Sequence, residues 1–471
     1  MKNTLYREIA DKIAAYIKEQ KFEPGAQLPT YREFSKLFGV STHTVGSALE
    51  RLHYKGLVDI RPQSGIFVME EAWNTLHPNT FNWNNYLKRT KEMSLTVLKR
   101  FSESRERYVP SINRYILSNL GASPNYGWHP IWKKATENAI QKLSPETLNF
   151  LSNEELLEIA GALAEYMKEY GLDVPAGDIL LTKGTNHSLL YIALTFFSPG
   201  AICYYVSPSM VDVAVFCDIT GMRPIPLPVD EEGFDLDYFA RKIKKGVQSF
   251  LIVSPELGMS GMSISIKRRR EIYQFCYLNG IPIIEMDEYR DYHIDSKPPI
   301  KAFDKHGIVF YTGSFSNTIN NSIDAGWVVA APELTERLRY VLLSMWTGCE
   351  VLPHRTVYEL LKSGDYALYI KKLRLIVQEK KKLLLSLLEE YLSDLAFWDK
   401  KAELFLWVRF RDHIDVHKIV ANKEGLTLGD DSQYHFAPKN SILISLTWIS
   451  EDNLREGIKL LAKIARNSLR I

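Results

Sequence analysis

The chain has 471 residues, of which 46% are hydrophobic and 24% are charged, and its formal net charge is +2. The length predicts two or three domains, and the composition is typical of globular proteins rather than of disordered or fibrous ones. No run of about 18 apolar residues is present, which argues against a transmembrane helix. The first residues lack the apolar stretch of a signal peptide, and the widely separated cysteines form no C-x-x-C pair. We therefore expect a cytoplasmic protein with reduced thiols and without a metal site.

The first seventy residues predict three helices followed by a β-hairpin. Apolar residues of the first helix recur at helical spacing, at Leu5, Ile9, Ile13, Tyr16 and Ile17. Thr30 is the expected N-cap of a second helix over 31–38, and a third helix follows the tight turn at 39–41. Short β-like runs at 57–60 and 65–68 then form a two-stranded wing. This order predicts a winged helix-turn-helix of the α+β class.

The same segment resembles the GntR-type winged helix. The matching marks are Pro24-Gly25-x-x-Leu28-Pro29, Arg32, Val40-Ser41-x-x-Thr44-Val45-x-x-Ala48-Leu49-x-x-Leu52, Gly56-Leu57 and Gly65-x-Phe67-Val68. The resemblance implies that residues 1–69 are a DNA-binding domain. The family usually has arginine directly after the Val-Ser turn, where this chain has Thr42. Operator sequences therefore cannot be transferred from relatives.

A winged helix presents the N-terminal end of its third helix to base edges in the major groove, and its wing tip can enter the adjacent minor groove. The residues that we expect to contact DNA are Arg32, Ser41, Thr42, His43, Thr44, Ser47, Arg51, Gln63, Ser64 and Gly65. Arg32 and Arg51 can neutralise phosphates. The alternative is that both arginines are solvated surface charges, and His43 can likewise be a surface residue without a DNA contact.

Residues 70–110 are predicted to be a linker. Residues 70–85 show no clear period, whereas apolar residues in the more charged segment after Tyr86 are spaced loosely enough for a helix to about Arg107. Both a solvated spacer and a helix docked on the body fit this pattern. By family analogy, a connector of this length lets the head of one chain reach the body of a partner, as in a domain-swapped homodimer.

From residue 111 onward, helical patterns alternate with short apolar runs at 178–182, 201–206, 249–253, 281–286 and 308–310. This alternation predicts an α/β body with a mainly parallel sheet, in which ligands bind beyond the carboxyl ends of the strands. A smaller α/β subdomain is expected at about 345–471, with strands at 404–409 and 442–446 and a last helix capped by Ser450. The lysine run at 380–382 is predicted to be a solvated helix face.

The stretch 311–330 is expected to form a strand, a small hydroxyl-rich loop and a second strand. It resembles the cofactor-lysine segment of the fold-type I aminotransferases, which reads Gly-Ser/Thr-Phe-Ser-Lys and, several residues later, Gly-Leu-Arg. The residues that match this frame are Gly313, Ser314, Phe315 and Ser316. Asn317 stands at the position of the lysine, and an amide is not nucleophilic enough to form a Schiff base. Asp324 stands at the position of the arginine that holds the cofactor phosphate, which a carboxylate would repel.

Other positions of the resemblance are preserved in part. The turn Gly184-Thr185-Asn186 before a helix suits a phosphate group, although an ordinary capped turn has the same pattern. Asp287 falls where the family's aspartate pairs with the pyridinium nitrogen, and Tyr289 falls where a tyrosine reaches the cofactor oxygen. Met210 replaces a cofactor-binding tyrosine, and Leu443 replaces the arginine that grips the substrate carboxylate. Asp287 is therefore either a cofactor partner or a retained carboxylate that its neighbours hydrogen-bond.

A winged helix, a long linker and an aminotransferase-like body together resemble the MocR-type regulators of the GntR family, over nearly the whole chain. The resemblance implies a homodimeric regulator that binds a double-stranded DNA operator and an unidentified small-molecule effector, without catalysis and without covalent pyridoxal phosphate. Two alternatives remain. One is a regulator that binds pyridoxal phosphate noncovalently through Gly184, Thr185, Asp287 and Tyr289. The other is an active aminotransferase, which the residues at 317, 324 and 443 disfavour.

Overall fold

The structure is a computed structural model. It describes residues 2–19, 22, 25–69, 72, 115–117, 121, 123, 126–147, 150–208, 213–255, 260–293, 297–319, 323, 325–345, 349–422, 424–431 and 436–469. The predicted linker lies almost wholly outside these residues, and so do Met210 and Asp324. The chain separates into two units, Met1–Leu98 and Lys99–Ile471.

The N-terminal unit is a winged helix. Its elements are α1 (Lys2–Glu19), β1 (Gln27–Leu28), α2 (Tyr31–Phe38), α3 (Thr42–Tyr54), β2 (Val58–Arg61) and β3 (Gly65–Val68). The strands form an antiparallel sheet in the order β1-β3-β2. The predicted helix-turn-helix and wing are thus confirmed.

Helix α2 begins at the predicted residue because of a capping box. The Thr30 hydroxyl accepts the N–H of Glu33 at 3.4 Å, and the Thr30 N–H donates to the Glu33 carboxylate at 2.7 Å. The buried side chains of all three helices and the wing then share one core, which includes Ile9, Ile13, Ile17, Phe34, Val45, Leu49, Leu52, Val58, Ile66 and Val68. Burial of this apolar surface is what stabilises so small a unit.

The second unit alternates strands and helices before it ends in a smaller sheet. Its elements are β4 (Tyr115–Ile116), α4 (Trp128–Lys142), α5 (Asn153–Lys168), β5 (Ile179–Thr182), α6 (Thr185–Phe196), β6 (Ile202–Val206), α7 (Val213–Thr220), β7 (Arg223–Leu227), α8 (Leu236–Lys242), β8 (Ser249–Val253), α9 (Ile266–Leu278), β9 (Ile283–Met286), β10 (Val309–Ser314), β11 (Gly326–Val329), α10 (Pro332–Ser344), α11 (Val351–Ser363), α12 (Asp365–Leu392), β12 (Ala396–Trp398), β13 (Phe405–Phe410), α13 (Val416–Val420), β14 (Leu426–Thr427), β15 (Gly429–Asp430), β16 (Ser441–Ser445) and α14 (Glu451–Arg466).

The large sheet has seven strands in the order β5-β11-β10-β9-β8-β6-β7. Strands β10, β9, β8, β6 and β7 run parallel, whereas β11 is antiparallel to both of its neighbours. The predicted, mainly parallel sheet is therefore confirmed. Strand β7 was not predicted, because its sequence, Arg223-Pro-Ile-Pro-Leu227, contains two prolines. It lies at the edge of the sheet, where proline is tolerated.

The smaller sheet is antiparallel, with the order β12-β13-β16-β15. Helix α14 follows the predicted cap, since the Ser450 hydroxyl accepts the N–H of Asn453 at 3.3 Å. Its buried face includes Leu454, Ile458 and Leu461. The predicted strands and the last helix of this subdomain are confirmed.

The prediction of a solvated lysine face on α12 is wrong at Lys380, which is only 2% exposed. Its Nζ donates to the Tyr126 hydroxyl at 2.7 Å and to the Ile449 carbonyl oxygen. The same atom lies over the Tyr126 ring, 4.3 Å from the centroid. Neighbouring Lys382 is exposed, as predicted. The error arose because a run of lysines winds around a helix, so that one of them points to the core.

None of the helices in the described part of the chain is long and apolar enough to cross a membrane. The four cysteines are free thiols, and Cys203, Cys217 and Cys276 are buried. Their burial agrees with the expectation of reduced thiols.

Candidate functional site

The turn between α2 and α3 sets the N-terminal end of α3. The Ser41 hydroxyl caps α3 by accepting the N–H of Thr44 at 3.1 Å, and it lies 2.8 Å from the Thr44 hydroxyl. These two hydroxyls are therefore engaged with each other, whereas Thr42 and His43 are exposed in the first turn. Because α3 buries Val45 and Leu49 one turn later, its first turn is held firmly while its outer face stays open to a ligand.

The predicted arginines have different environments. Arg32 is exposed on α2. Arg51 is half-buried on α3 beside Tyr6 of α1, and its charge helps to lower the pKa of that tyrosine, after the hydrogen bond from Arg7. Ser47 is half-buried. Arg32 is thus the more accessible of the two predicted phosphate contacts.

The wing tip is exposed at Arg61, Pro62, Gln63 and Ser64. Gln63 has a left-handed φ of 65°, and the turn closes by a hydrogen bond from the Ser64 N–H to the Arg61 carbonyl oxygen at 3.1 Å. Arg61 was not among the predicted contacts. It pairs with Asp59 at 2.8 Å and lies over the Phe67 ring, 4.6 Å from the centroid.

In the second unit, the turn at 184–186 and the stretch 311–330, which both resemble cofactor-binding segments, meet at Gly184 and Gly326. Gly184 precedes α6 with a φ of 96°, which favours glycine. A Cβ atom on Gly326 would lie 2.6 Å from the Cα of Gly184, so β11 and the N-terminus of α6 touch by their backbones. Asn186, the second residue of α6, is exposed. The fold therefore brings the predicted phosphate turn to the stretch 311–330.

Asn317 lies in the turn after β10 and is half-buried. Its backbone carbonyl oxygen accepts a hydrogen bond from the Tyr292 hydroxyl at 2.7 Å. Just before it, the Ser314 and Ser316 hydroxyls are 2.7 Å apart. These hydrogen bonds fix the turn. The side chain that it carries at position 317 is an amide.

Asp287 follows β9 at the carboxyl end of the parallel strands and is 4% exposed. The Arg290 guanidinium pairs with it, with Nε 2.5 Å from Oδ2. The Tyr311 hydroxyl donates to the same oxygen at 3.0 Å. The guanidinium also lies over the Tyr170 ring, 4.0 Å from the centroid. The buried carboxylate is thus neutralised by a cation from its own chain.

Glu288, the next residue, approaches the N-terminus of α6. Burial raises the pKa of the Glu288 carboxyl, and the neighbouring Thr185 side chain partly offsets that rise. Thr185 is the first residue of α6, where free N–H groups favour an anion.

A tyrosine layer, which includes Tyr166 and Tyr366, contacts Asp291, which is buried and only 8% exposed. The Tyr166 hydroxyl donates to both Asp291 carboxylate oxygens, each at 2.9 Å, and the Tyr366 hydroxyl donates to Oδ2. Burial raises the pKa of Asp291, and these two hydrogen bonds oppose the rise. The short turn that carries Arg290 and Asp291 is thereby held from both sides.

The remaining predicted pocket residues are buried in the fold. Tyr289 is 2% exposed, packs edge-to-face on Phe405 at 5.3 Å between centroids, and lines a cavity of about 550 Å³ beside the smaller subdomain. Leu443 is 1% exposed in the middle of β16, where it pairs with Trp407. The side chain at 443 therefore contributes to the apolar core.

Comparison with known proteins agrees with the two-part architecture. Residues 5–68 match the model of bacterial regulatory proteins of the gntR family. The chain is 27% identical, over 96% of its length and 94% of the relative, to the uncharacterised HTH-type transcriptional regulator YdfD of Bacillus subtilis (strain 168). It is 24% identical, over 92% of its length and 98% of the relative, to the HTH-type transcriptional regulator NorG of Staphylococcus aureus (strain USA300).

Solved structures that resemble the second unit are aminotransferases. A multiple substrate aminotransferase from Thermococcus profundus superposes with a TM-score of 0.72 at 21% identity, covering 82% of this chain and 99% of that one. An archaeal alanine:glyoxylate aminotransferase gives 0.73 at 22% identity, covering 83% and 100%. At these identities the likeness concerns the fold alone. The chain has the MocR-type architecture.

The sequence predicts Asp287 as a site residue but not its partner, Arg290. The segment Asp287-Glu288-Tyr289-Arg290-Asp291 places a cation three residues after the aspartate. Three residues span one turn of a tight helix, so that the two side chains can meet. The arginine three residues after the aspartate was the signal that could have revealed the pair.

Proposed function

We propose that this chain is a DNA-binding transcriptional regulator whose aminotransferase-like body acts as an effector-sensing or dimerisation module and not as an enzyme. DNA binding is supported by the gntR-family match over residues 5–68 and by the open first turn of α3. Both relatives compared above carry the name of transcriptional regulators over more than nine-tenths of this chain. In this proposal the exposed Thr42 and His43 read base edges, and Arg32 holds a phosphate.

The observation that carries the non-enzymatic half of the proposal is the buried pair of Asp287 and Arg290. Pyridoxal phosphate would bring a cationic ring nitrogen to an aspartate and an anionic phosphate to a helix N-terminus. Here Arg290 supplies a cation at Asp287. Asn317 offers no primary amine. The residues present therefore do not fit a covalently held cofactor, because Arg290 already pairs with the aspartate and position 317 lacks the nucleophile.

The proposal includes a homodimer whose bodies associate and which can be domain-swapped through the linker. An operator with two half-sites requires a two-fold symmetric protein, and a dimer supplies that symmetry. Sedimentation velocity of the purified chain measures this part of the proposal. We expect a species of about twice the chain mass.

The absence of cofactor chemistry is tested with pyridoxal phosphate and borohydride. The full chain is incubated with the cofactor, reduced, and analysed by intact mass and peptide mapping. We expect no adduct on the segment that contains Asn317. A reducible, stoichiometric adduct in the wild-type chain would contradict the proposal.

A matched pair of variants tests the blocking role of Arg290. Asn317→Lys with Asp324→Arg restores both cationic positions, and a second variant adds Arg290→Ser. We expect weak cofactor binding by the first and clearly tighter binding by the second, measured by equilibrium dialysis. Equal binding by the two variants would mean that Arg290 does not occupy the cofactor's place.

A further inference from the structure

A groove of about 1140 Å³ lies between α5, α11 and α12, on the outer side of the tyrosine layer. Its floor is formed by Tyr166, Tyr366 and Asp291. These floor groups are already hydrogen-bonded to one another, so they present ring faces and satisfied polar atoms to the opening. Tyr358, Leu361 and Ile370 add apolar surface to the walls. This volume accommodates a drug-sized organic molecule.

One wall of the groove is cationic. Lys362, Lys371 and Arg374 line it from α11 and α12, and in the part of the chain that the structure describes none of the three forms a salt bridge. The Arg374 Nε donates to the Asp291 carbonyl oxygen at 2.8 Å, and the Lys362 ammonium donates to the Tyr358 hydroxyl at 2.7 Å. These neutral acceptors hold the two side chains at the groove without cancelling their charges.

The opposite wall, on α5, carries carboxylates that are largely neutralised. Glu165 pairs with Lys168 at 2.7 Å, and Glu158 pairs with Arg355 at 3.0 Å. Outside these pairs the groove is lined by three cations, Lys362, Lys371 and Arg374, and by two carboxylates, Glu169 and Asp291, so one excess positive charge remains and lies on the side of α12. Because a guanidinium and an ammonium side by side are the usual partners of a carboxylate or phosphate, the groove has the chemistry of an anion site beside an apolar bed.

We propose that this groove binds an organic anion with an aromatic or apolar body, whose acidic group meets Arg374 and Lys371 and whose ring lies on Tyr166 and Tyr358. The site is separate from the cofactor-like positions at Asp287 and Asn317. It accepts ligands of the arylcarboxylate type and discriminates against amines of the same shape.

A ligand in the groove would affect the turn that carries Arg290, Asp291 and Tyr292. Arg374 holds the backbone of Asp291, while Tyr292 holds the carbonyl oxygen of Asn317. A ligand that draws Arg374 toward its acidic group therefore pulls on the turn that neutralises Asp287. This regulatory consequence rests on the proposed function as a regulator, whereas the binding itself does not.

The binding is tested on the full chain without DNA, so that a failure here is distinct from a failure of DNA binding. Isothermal titration calorimetry compares 2-naphthoate with 2-naphthamide, which has the same ring and no charge. The test variant is Lys371→Glu, and the matched control is Lys372→Glu, an exposed neighbour on α12 that does not line the groove. Both residues are exposed, so neither change threatens the fold.

We expect naphthoate to bind at least about tenfold more tightly than naphthamide, a difference of about 1.4 kcal/mol. Lys371→Glu should weaken naphthoate binding by a similar factor, and Lys372→Glu should leave it unchanged. Equal affinities of acid and amide, or equal effects of the two variants, would overturn the proposal. A change in the oligomeric state of Lys371→Glu alone would also overturn it, because the groove would then be a protein interface.

Discussion

At the residue scale, the proposed absence of cofactor chemistry rests on the pair of Asp287 and Arg290. A buried carboxylate without a partner is strongly destabilising, and fold-type I enzymes would provide that partner as a bound cofactor. In this chain Arg290 pairs with Asp287, its guanidinium lies over the Tyr170 ring, and the Tyr311 hydroxyl donates to Asp287. Asp287 therefore has a counter-ion from its own chain.

Replacement of Arg290 by methionine should destabilise the body by about 3–5 kcal/mol, because Asp287 would remain buried and uncompensated. The double variant Asp287→Asn with Arg290→Met removes both charges and should recover most of that loss. Urea denaturation of both variants and the wild type measures the free energies of unfolding. A double variant as unstable as the single one would show that Arg290 acts by packing and not as a counter-ion.

Lys380 gives a second prediction at this scale. Burial lowers the pKa of Lys380 to about 7, below its ordinary value of 10.5. Between these pH values the unfolded chain binds more protons at this residue, so its contribution to stability rises with pH in that window. Relative to Lys380→Met, the wild-type free energy of unfolding should gain on the order of 1 kcal/mol per pH unit from pH 7 to 10. Parallel pH profiles of the two proteins would contradict a neutral buried lysine.

At the scale of elements, β11 and the N-terminus of α6 are in backbone contact at Gly326 and Gly184. Gly326→Ala would put a Cβ 2.6 Å from the Cα of Gly184, and we expect a loss of about 1–3 kcal/mol in stability. Gly161→Ala is the control, since nothing lies within 4 Å of its Cβ in the middle of α5. That control should be neutral or stabilise by up to about 1 kcal/mol. Thermal unfolding of both variants distinguishes the outcomes.

The helix-turn-helix makes a separate prediction. Arg32→Ala on α2 should weaken binding to all DNA sequences and lower the slope of log affinity against log salt by about one unit. Lys12→Ala on α1 removes the same charge from an exposed residue that pairs with Glu8, and it should change the slope little. Fluorescence anisotropy at several salt concentrations supplies both slopes. An unchanged slope for Arg32→Ala would place that side chain away from the phosphates.

The elements also indicate how far the sequence could predict the fold. Strands β5, β6, β8 and β9 were predictable because each is a mostly apolar run, as expected for a strand buried on both faces. Strand β7 was missed because propensity alone excludes its two prolines, and only its position at the sheet edge makes them acceptable. Local pattern does not reveal which strand will lie at an edge.

For the candidate site, the sequence supplied only single residues at positions of the family resemblance. Asn317 was placed at the position of the lysine and Leu443 at that of the carboxylate-binding arginine. In the structure Asn317 lies in the turn after β10 and Leu443 lies inside β16. Arg290 was not foreseen although its partner Asp287 is only three residues away, whereas Lys380 was not foreseen because its partner Tyr126 lies far away in the chain. Burial of a charge is a property of tertiary contacts rather than of spacing.

At the scale of the whole molecule, we propose that a DNA-binding head is joined to a body that retains the aminotransferase fold and pairs Asp287 with Arg290 in place of a cofactor. The proposed anion groove lies on the same body and shares the 290–292 turn with the Asp287 pair. A signal that reaches this turn would pass through hydrogen-bonded tyrosines rather than through covalent chemistry. The body would then regulate by shifting a conformational equilibrium.

The most direct test selects, from a pool of randomised duplexes, the DNA that the full chain binds, and then measures affinity for the selected sequence by anisotropy with and without pyridoxal phosphate. We predict binding that is at least about a thousandfold tighter than to unrelated DNA, with the same affinity in the presence of the cofactor. Failure to enrich any sequence would contradict the role of residues 5–68 as a sequence-specific head. Binding that requires pyridoxal phosphate would contradict the replacement of the cofactor by Arg290.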